Sequence, residues 1–427
     1  MDNKIYRRRV TAWVMYDWAN SAFATTVMAG LLPAFYQTVA GAGLPDGHAT
    51  AYWGYTVSAA LLIAAVISPV LGALSDFRGT KKRFLINFML MGVCGTALLY
   101  FVGTGDWLRA SVFFILANVG FAGANVFYDA LLPHVARAEE VDQVSARGFA
   151  MGYLGGGLLL AVNLWMILQA PEAEAARMIR LAFVSVAVWW LVFTIPLWRY
   201  APEPQRRTLP GEAGQNAWTV SFRRLAGTLR EISKYPDLFK FMLAVLLYTD
   251  GIGTIIKMGV AYGAEIGIRT ETLVGVLLAI QFVAMPFSFL FGRLASKYGA
   301  KRLIYVGLLV YTGLTLGAYF VKTDTHFWLL GLGIATVQGG TQAMTRSLGA
   351  RMIPKSKSGE FFGFVSVLIK FAGMVGPLLF ALVAQAVGSS RPAFLSLVVF
   401  FLGGMFVLSR VDEEAGVQAA QEVNGGG

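Results

Sequence analysis

Between residues 72 and 83 the chain reads Gly72-Ala73-Leu74-Ser75-Asp76-Phe77-Arg78-Gly79-Thr80-Lys81-Lys82-Arg83, a short basic loop between two long apolar runs. A weaker copy follows at Gly292-Arg293-Leu294-Ala295-Ser296-Lys297-Tyr298-Gly299-Ala300-Lys301-Arg302. Gly72, Leu74, Gly79 and Lys81 are answered by Gly292, Leu294, Gly299 and Lys301 at a constant offset of 220 residues, so the chain reads as two duplicated halves. Within the loop, Gly72 permits close helix approach and Gly79 turns the chain. Asp76 suits a helix N-terminus or a nearby arginine, and the basic run of Arg78, Lys81 and Arg83 holds the loop on the inner side of a membrane.

The surrounding composition requires that membrane. Of 427 residues 56% are hydrophobic and 14% charged, against about 25% charged in an average soluble chain. A spanning helix needs about 20 apolar residues. Breaks at charge, Pro and Gly clusters predict twelve spans, near 11–39, 51–75, 83–103, 108–133, 148–169, 178–198, 238–262, 272–296, 302–321, 326–350, 361–388 and 392–410. The runs are continuous instead of alternating, which excludes an outer-membrane barrel. With the N-terminus inside, 27 Lys and Arg fall in inner segments and 6 in outer ones, so both termini are expected in the cytoplasm. No small-residue cleavage site follows Lys4, Arg7, Arg8 and Arg9, so the first span is expected to stay.

The expected organisation is a six-helix bundle over 1–198, a cytoplasmic linker over 199–237, a second six-helix bundle over 238–410 and a disordered cytoplasmic tail over 411–427. In the linker Trp218, Phe222, Leu225, Leu229 and Ile232 recur at helical spacing opposite Arg223, Arg224, Arg230 and Lys234, the pattern of an interfacial amphipathic helix.

Other chemistries have little to stand on. Cys94, the one cysteine, lies in an apolar run and is expected to be buried. Three scattered histidines, His48, His134 and His326, give no ligand spacing for a metal and no triad. The net charge of +11 is explained by topology, so no nucleic-acid partner is implied. Gly152-Tyr153-Leu154-Gly155-Gly156-Gly157 lacks a preceding strand and a P-loop lysine, so close helix packing is expected there and no nucleotide cofactor.

In a twelve-span chain, after span 2 and with a copy after span 8, the loop resembles the signature of the major facilitator superfamily. That resemblance implies an all-α integral membrane fold, twelve transmembrane helices in two six-helix halves about a central cavity, working by alternating access. It also assigns the loop residues Gly72, Asp76, Arg78, Gly79, Lys81 and Arg83 to the conformational gate. Trp13-Val14-Met15-Tyr16-Asp17-Trp18-Ala19-Asn20-Ser21, Phe127-Tyr128-Asp129-Ala130-Leu131-Leu132-Pro133, Ser145-Ala146-Arg147-Gly148-Phe149 and Tyr248-Thr249-Asp250-Gly251 together look like the vacuole-effluxer, autophagy-related permease family. Fungal members are associated with amino-acid export from the vacuole, which suggests that substrate class here.

Charges inside spans are costly and mark candidate sites. Asp17 and Asp250 are candidate proton carriers, and Lys257 or Lys370 a partner for a substrate carboxylate. Asp250 and Lys257, seven residues apart, share a helix face about 10 Å apart and could face one cavity. Their alternative role is fixed bonding between helices. Asp129 is expected in an inner gate with Arg147 or a basic loop residue. Asn20, Ser21, Asn125, Tyr153, Gln281, Gln338 and Gln342 offer neutral hydrogen bonds to a substrate or between helices, and Arg346 extends the face of Gln338 and Gln342 toward the gate. The expected function is secondary active transport by a monomer of a small polar metabolite with a proton. The alternatives are transport of an amphipathic or lipid-like molecule and a non-transporting membrane sensor. No nucleophile, base and orienting group converge, so an enzyme is not expected.

Overall fold

The computed structural model describes residues 3–44, 48–204, 216, 219–220, 223, 235–373, 375–387 and 389–425. Among these, regular structure is helical, with no strand. The first six helices are α1 (Asn3–Ala40), α2 (His48–Arg78), α3 (Lys81–Leu98), α4 (Trp107–Val135), α5 (Val141–Leu168) and α6 (Ala175–Tyr200). After the linker come α7 (Pro236–Glu265), α8 (Thr270–Tyr298), α9 (Ala300–Ala318) and α10 (Asp324–Met352). Then follow α11 (Ser358–Ala372), α12 (Val375–Val387), α13 (Ser390–Ser396), α14 (Val398–Ser409) and α15 (Glu413–Gly425).

Nine helices among the described residues are long and apolar enough to cross a membrane: α1 to α8 and the run Ser390–Ser409 that holds α13 and α14. The other three expected spans coincide with α9, α10 and the pair α11–α12, which fall below that standard of length and apolarity. Large apolar side chains face outward on many helices, such as Val66, Trp165, Leu309 and Phe406, each more than half exposed. In water these would be aggregation surfaces; in a bilayer they are the solvated face.

Small residues let the backbones touch, as helix association in lipid requires. A Cβ on Gly120 of α4 would stand 2.3 Å from the Gly92 nitrogen of α3. On α5, Gly152, Gly155 and Gly156 lie against Ser21, Trp18 and Thr25 of α1, and Gly157 against Gln281 of α8. The glycine string is therefore a packing surface, as its sequence context suggested.

One end of the bundle gathers the N-terminus, the two motif turns and the C-terminal helix, and is called the basic face here. Tyr6 bonds Glu140, Lys301 donates to the Val411 carbonyl, and Arg351 joins Asp142 to Glu413. Glu203, just past α6, accepts from the Lys82 and Arg83 amides at the start of α3. Lys82 in return reaches the Trp198 and Ala201 carbonyls at the end of α6. Each orphaned helix end thus meets the opposite charge.

Four expectations are corrected. The chain beyond Arg410, expected to be disordered, forms α15, which seats Gly416 against Met352 and buries Ala420. Its apolar positions are few, but they meet a surface the sequence does not display. Cys94 is exposed, because an apolar run in a membrane protein has a lipid side as well as an interior. Span 11 is broken at Gly373. Pro377 supplies no N–H to the Gly373 carbonyl four residues back, and its ring crowds that carbonyl. The last span is divided too, at Leu397. Most of the expected amphipathic helix at 218–232 lies outside the described residues.

Candidate functional site

The two motif copies meet the opposite half in the same way. Gly72 and Asp76 of α2 abut Gly359 of α11: a Cβ there would lie 2.7 Å from the Gly72 oxygen and 2.9 Å from an Asp76 carboxylate oxygen. Gly292 of α8 abuts α5, its added Cβ 2.5 Å from that of Ala146. Gly79 and Gly299 both turn with positive φ, +64° and +84°, which explains glycine at those positions. Asp76 pairs with Lys81, the lysine of the same loop. Arg78 and Arg83 are exposed. At the weaker copy Ser296 stands in place of the aspartate and accepts from Gln143 of α5 at 2.9 Å.

Arg346, on α10, is the centre of the junction between halves. Its Nη1 lies 3.0 Å from Oδ2 of Asp17 on α1 and 3.5 Å from Oδ1 of Asp129 on α4. Nε donates to the Ser145 hydroxyl at 2.9 Å and Nη2 to the Ser145 carbonyl at 2.8 Å, both on α5. The guanidinium also lies over the rings of Trp13, Tyr128 and Phe149. Tyr128 donates to Asp17 at 2.8 Å and stacks on Trp13 with centroids 4.3 Å apart. A buried guanidinium shared between two carboxylates, with Nε and Nη2 also donating to Ser145, is an arrangement in which loss of one partner is costly.

Beside this junction lies a cavity of about 320 Å³ between α4, α5, α7, α10 and α11. Asn125, Asp129, Gln342, Thr345 and Arg346 form a polar corner, while Phe149, Phe241, Met242, Tyr248 and Phe362 contribute to a largely apolar wall. Asn125 accepts from Asn20 at 2.6 Å, which orients it. Tyr153 of α5 joins Gln338 at 2.9 Å and Gln342 at 3.4 Å, a second polar link between halves. Near the basic face, Ser358 at the start of α11 donates to the Ala130 carbonyl and meets His134, both on α4.

Several candidates stand elsewhere than expected. Asp129 faces Arg346, not Arg147, which is exposed. Asp250 and Lys257 do not line the cavity. Asp250 accepts from the Gly376 amide at 2.7 Å, and Lys257 donates to the Gly373 carbonyl at 3.2 Å, so the pair holds the two ends of the broken span. Both side chains meet the same broken span, a partner that helical spacing within α7 does not reveal. Ser21 packs on Gly152, and Gln281 on Gly157 with its Oε1 unpartnered among the described residues. The Lys370 side chain lies outside the described residues. Trp13, Tyr128 and Ser145 were missed as site residues, although Trp13 stands four before Asp17 and so shares its face.

Nine apolar helices among the described residues, duplicated motif loops and a cavity beside a buried ion pair between the halves mark a multi-pass membrane protein of the major facilitator fold, and the proteins it resembles are transporters, not enzymes. The solved structure of the proton:xylose symporter XylE from E. coli matches with a TM-score of 0.72 at 16% identity, over 98% of both chains. A profile of the family "Vacuole effluxer Atg22 like" matches residues 45–421, and the chain belongs to that family. It is 39% identical over 427 residues to the uncharacterized MFS-type transporter YxiO of Bacillus subtilis (strain 168), covering 99% of each chain. It is 23% identical over 481 residues to autophagy-related protein 22 of Eremothecium gossypii, covering 98% of this chain and 93% of that one.

Proposed function

We propose that this transporter moves amino acids by proton-coupled alternating access, as a monomer in the cell membrane with its basic face toward the cytoplasm. The observation that carries the proposal is Arg346, which reaches from the second group of helices to Asp17 and Asp129 of the first, at the wall of the cavity. A zwitterion is matched to that corner: its carboxylate suits Arg346 and its ammonium suits Asp129. By taking those partners it replaces the bond between halves, and the halves are then free to part on the basic face. Binding energy of the substrate is thus spent on the change of conformation, which is what coupled transport needs. The orientation follows from the Lys and Arg distribution. The description of the family as vacuole effluxers supports an export role for this chain.

The apolar remainder of the cavity favours one second reading, an amphipathic substrate with a single charged end. Purified protein in liposomes, given a labelled amino-acid panel with and without an imposed pH gradient, separates the two. Gradient-driven accumulation of an amino acid is expected. Accumulation of none of them, with displacement of a fluorescent lysolipid from the cavity, would replace the first reading by the second.

A further inference from the structure

Asp250 occupies a place that neither the cavity nor the gate accounts for. It is 4% exposed, midway along α7, and only one of its carboxylate oxygens is used. Oδ2 accepts from the Gly376 amide in the first turn of α12, while Oδ1 is buried without a hydrogen-bond partner among the described residues. Gly376 presses so closely that a Cβ there would lie 2.9 Å from Oδ1 and 2.1 Å from the Thr254 hydroxyl. The Thr254 hydroxyl is turned away, donating to the Asp250 carbonyl.

Among the described residues the surroundings hold little to balance the charge. Lys257, two turns further along α7, is the cation that acts on Asp250, and it is held by the Gly373 carbonyl. From α12 comes the Gly376 amide, and α14 brings Phe400 and Phe401 against the neighbouring Gly251. Lys370 of α11 lies outside the described side chains. A buried carboxylate with one oxygen unsatisfied is costly when ionised, and a proton on that oxygen removes the charge.

We infer that Asp250 is a proton-binding site, with the proton carried on Oδ1, and that its occupancy sets the hinge between α11 and α12. The inference rests on the proton coupling proposed above and gives the coupled proton a residue outside the cavity. The link to the gate is mechanical. Lys257 holds the end of α11 and Asp250 the start of α12, so both pieces of the broken span are tied to α7 by opposite charges. The α11 piece is also the one that touches the other half, through Gly359 on Gly72 and Gly363 on Ser68. An ionised Asp250 grips the positive end of α12; a neutral one loses the charge-assisted part of that bond. Protonation therefore loosens the hinge and favours release of α11 from α2.

Asp250→Asn separates this role from a merely structural one, because the amide oxygen still accepts from Gly376. In infrared difference titrations of the purified protein, the wild type is expected to show the carbonyl stretch of a protonated carboxyl that is missing in Asp250→Asn. In liposomes the variant is expected to keep amino-acid counterflow and lose accumulation driven by a pH gradient. Wild-type accumulation by Asp250→Asn, or a carboxyl titration unchanged by the substitution, would overturn the inference. If the wild type accumulates no amino acid, the proposed function fails, and the infrared titration still decides the proton site.

Discussion

At Arg346 one side chain satisfies two carboxylates, a hydroxyl and a carbonyl across the junction of the halves. Arg346→Ala leaves Asp17 and Asp129 without their cation, and breaking such a buried pair costs about 3–5 kcal/mol. We expect a lowered Tm in detergent together with lost counterflow; wild-type counterflow would remove Arg346 from the mechanism. Arg346→Lys keeps the charge but not the planar fork, so it should recover part of the stability and little of the transport. Tyr128→Phe deletes only the bond to Asp17 and should cost about 1 kcal/mol, read as a small Tm shift. The sequence showed the charges here because charge inside a span is conspicuous. It did not show the pairing. Asp129 and Arg346 are 217 residues apart, and nothing local distinguishes that partner from Arg147.

At the scale of elements, closed contacts between helices depend on missing side chains. Gly359→Ala would force a methyl against the Gly72 backbone, Ser75 and Asp76. Overpacking of this kind costs about 1–3 kcal/mol, and here it falls on one conformer only, the one with α11 against α2. The expected result is greater labelling of a cysteine placed on the basic face, with unchanged amounts of folded protein. Gly120→Ala, by contrast, strikes the Gly92 backbone within the first group of helices and should lower Tm without altering the labelling.

The cap at Glu203 gives a pH prediction. Burial is the largest influence on this carboxyl and raises its pKa, against the Lys82 and Arg83 amides that lower it. A raised folded-state pKa contributes stability that is present at low pH and lost as pH rises through that pKa. Glu203→Gln should therefore flatten the acid side of a Tm-against-pH curve; an unchanged curve would show that Glu203 does not set it.

Helices were legible because apolar length is a strong signal, and their breaks were less so. Gly373 and Pro377 stand in the sequence, but their neighbours are apolar enough to read as one span. Helix α15 was illegible for the opposite reason. Its few apolar residues, Val417 and Ala420 among them, pack in a helix that lies against α10, α7 and the Lys355–Lys357 turn.

Across the whole molecule the duplication sets how the halves pack. α2 meets α11 and α5 meets α8, so each half offers a motif helix to a helix of the other. The 220-residue offset made this symmetry readable, because the motif glycines are fixed by close approach and by positive φ. The aspartate is not so fixed: Asp76 binds Lys81, and its counterpart Ser296 binds Gln143. The repeat therefore revealed the frame and not the wiring.

In the proposed cycle the halves part on the basic face each time substrate crosses. Gln143 and Ser296 face each other there across α5 and α8, their side chains joined at 2.9 Å. With Cys94 replaced by serine, the pair Gln143→Cys and Ser296→Cys can be cross-linked by oxidation in liposomes. If the halves must part there, oxidation stops amino-acid counterflow and reduction restores it. Counterflow at the full rate by fully cross-linked protein would contradict it.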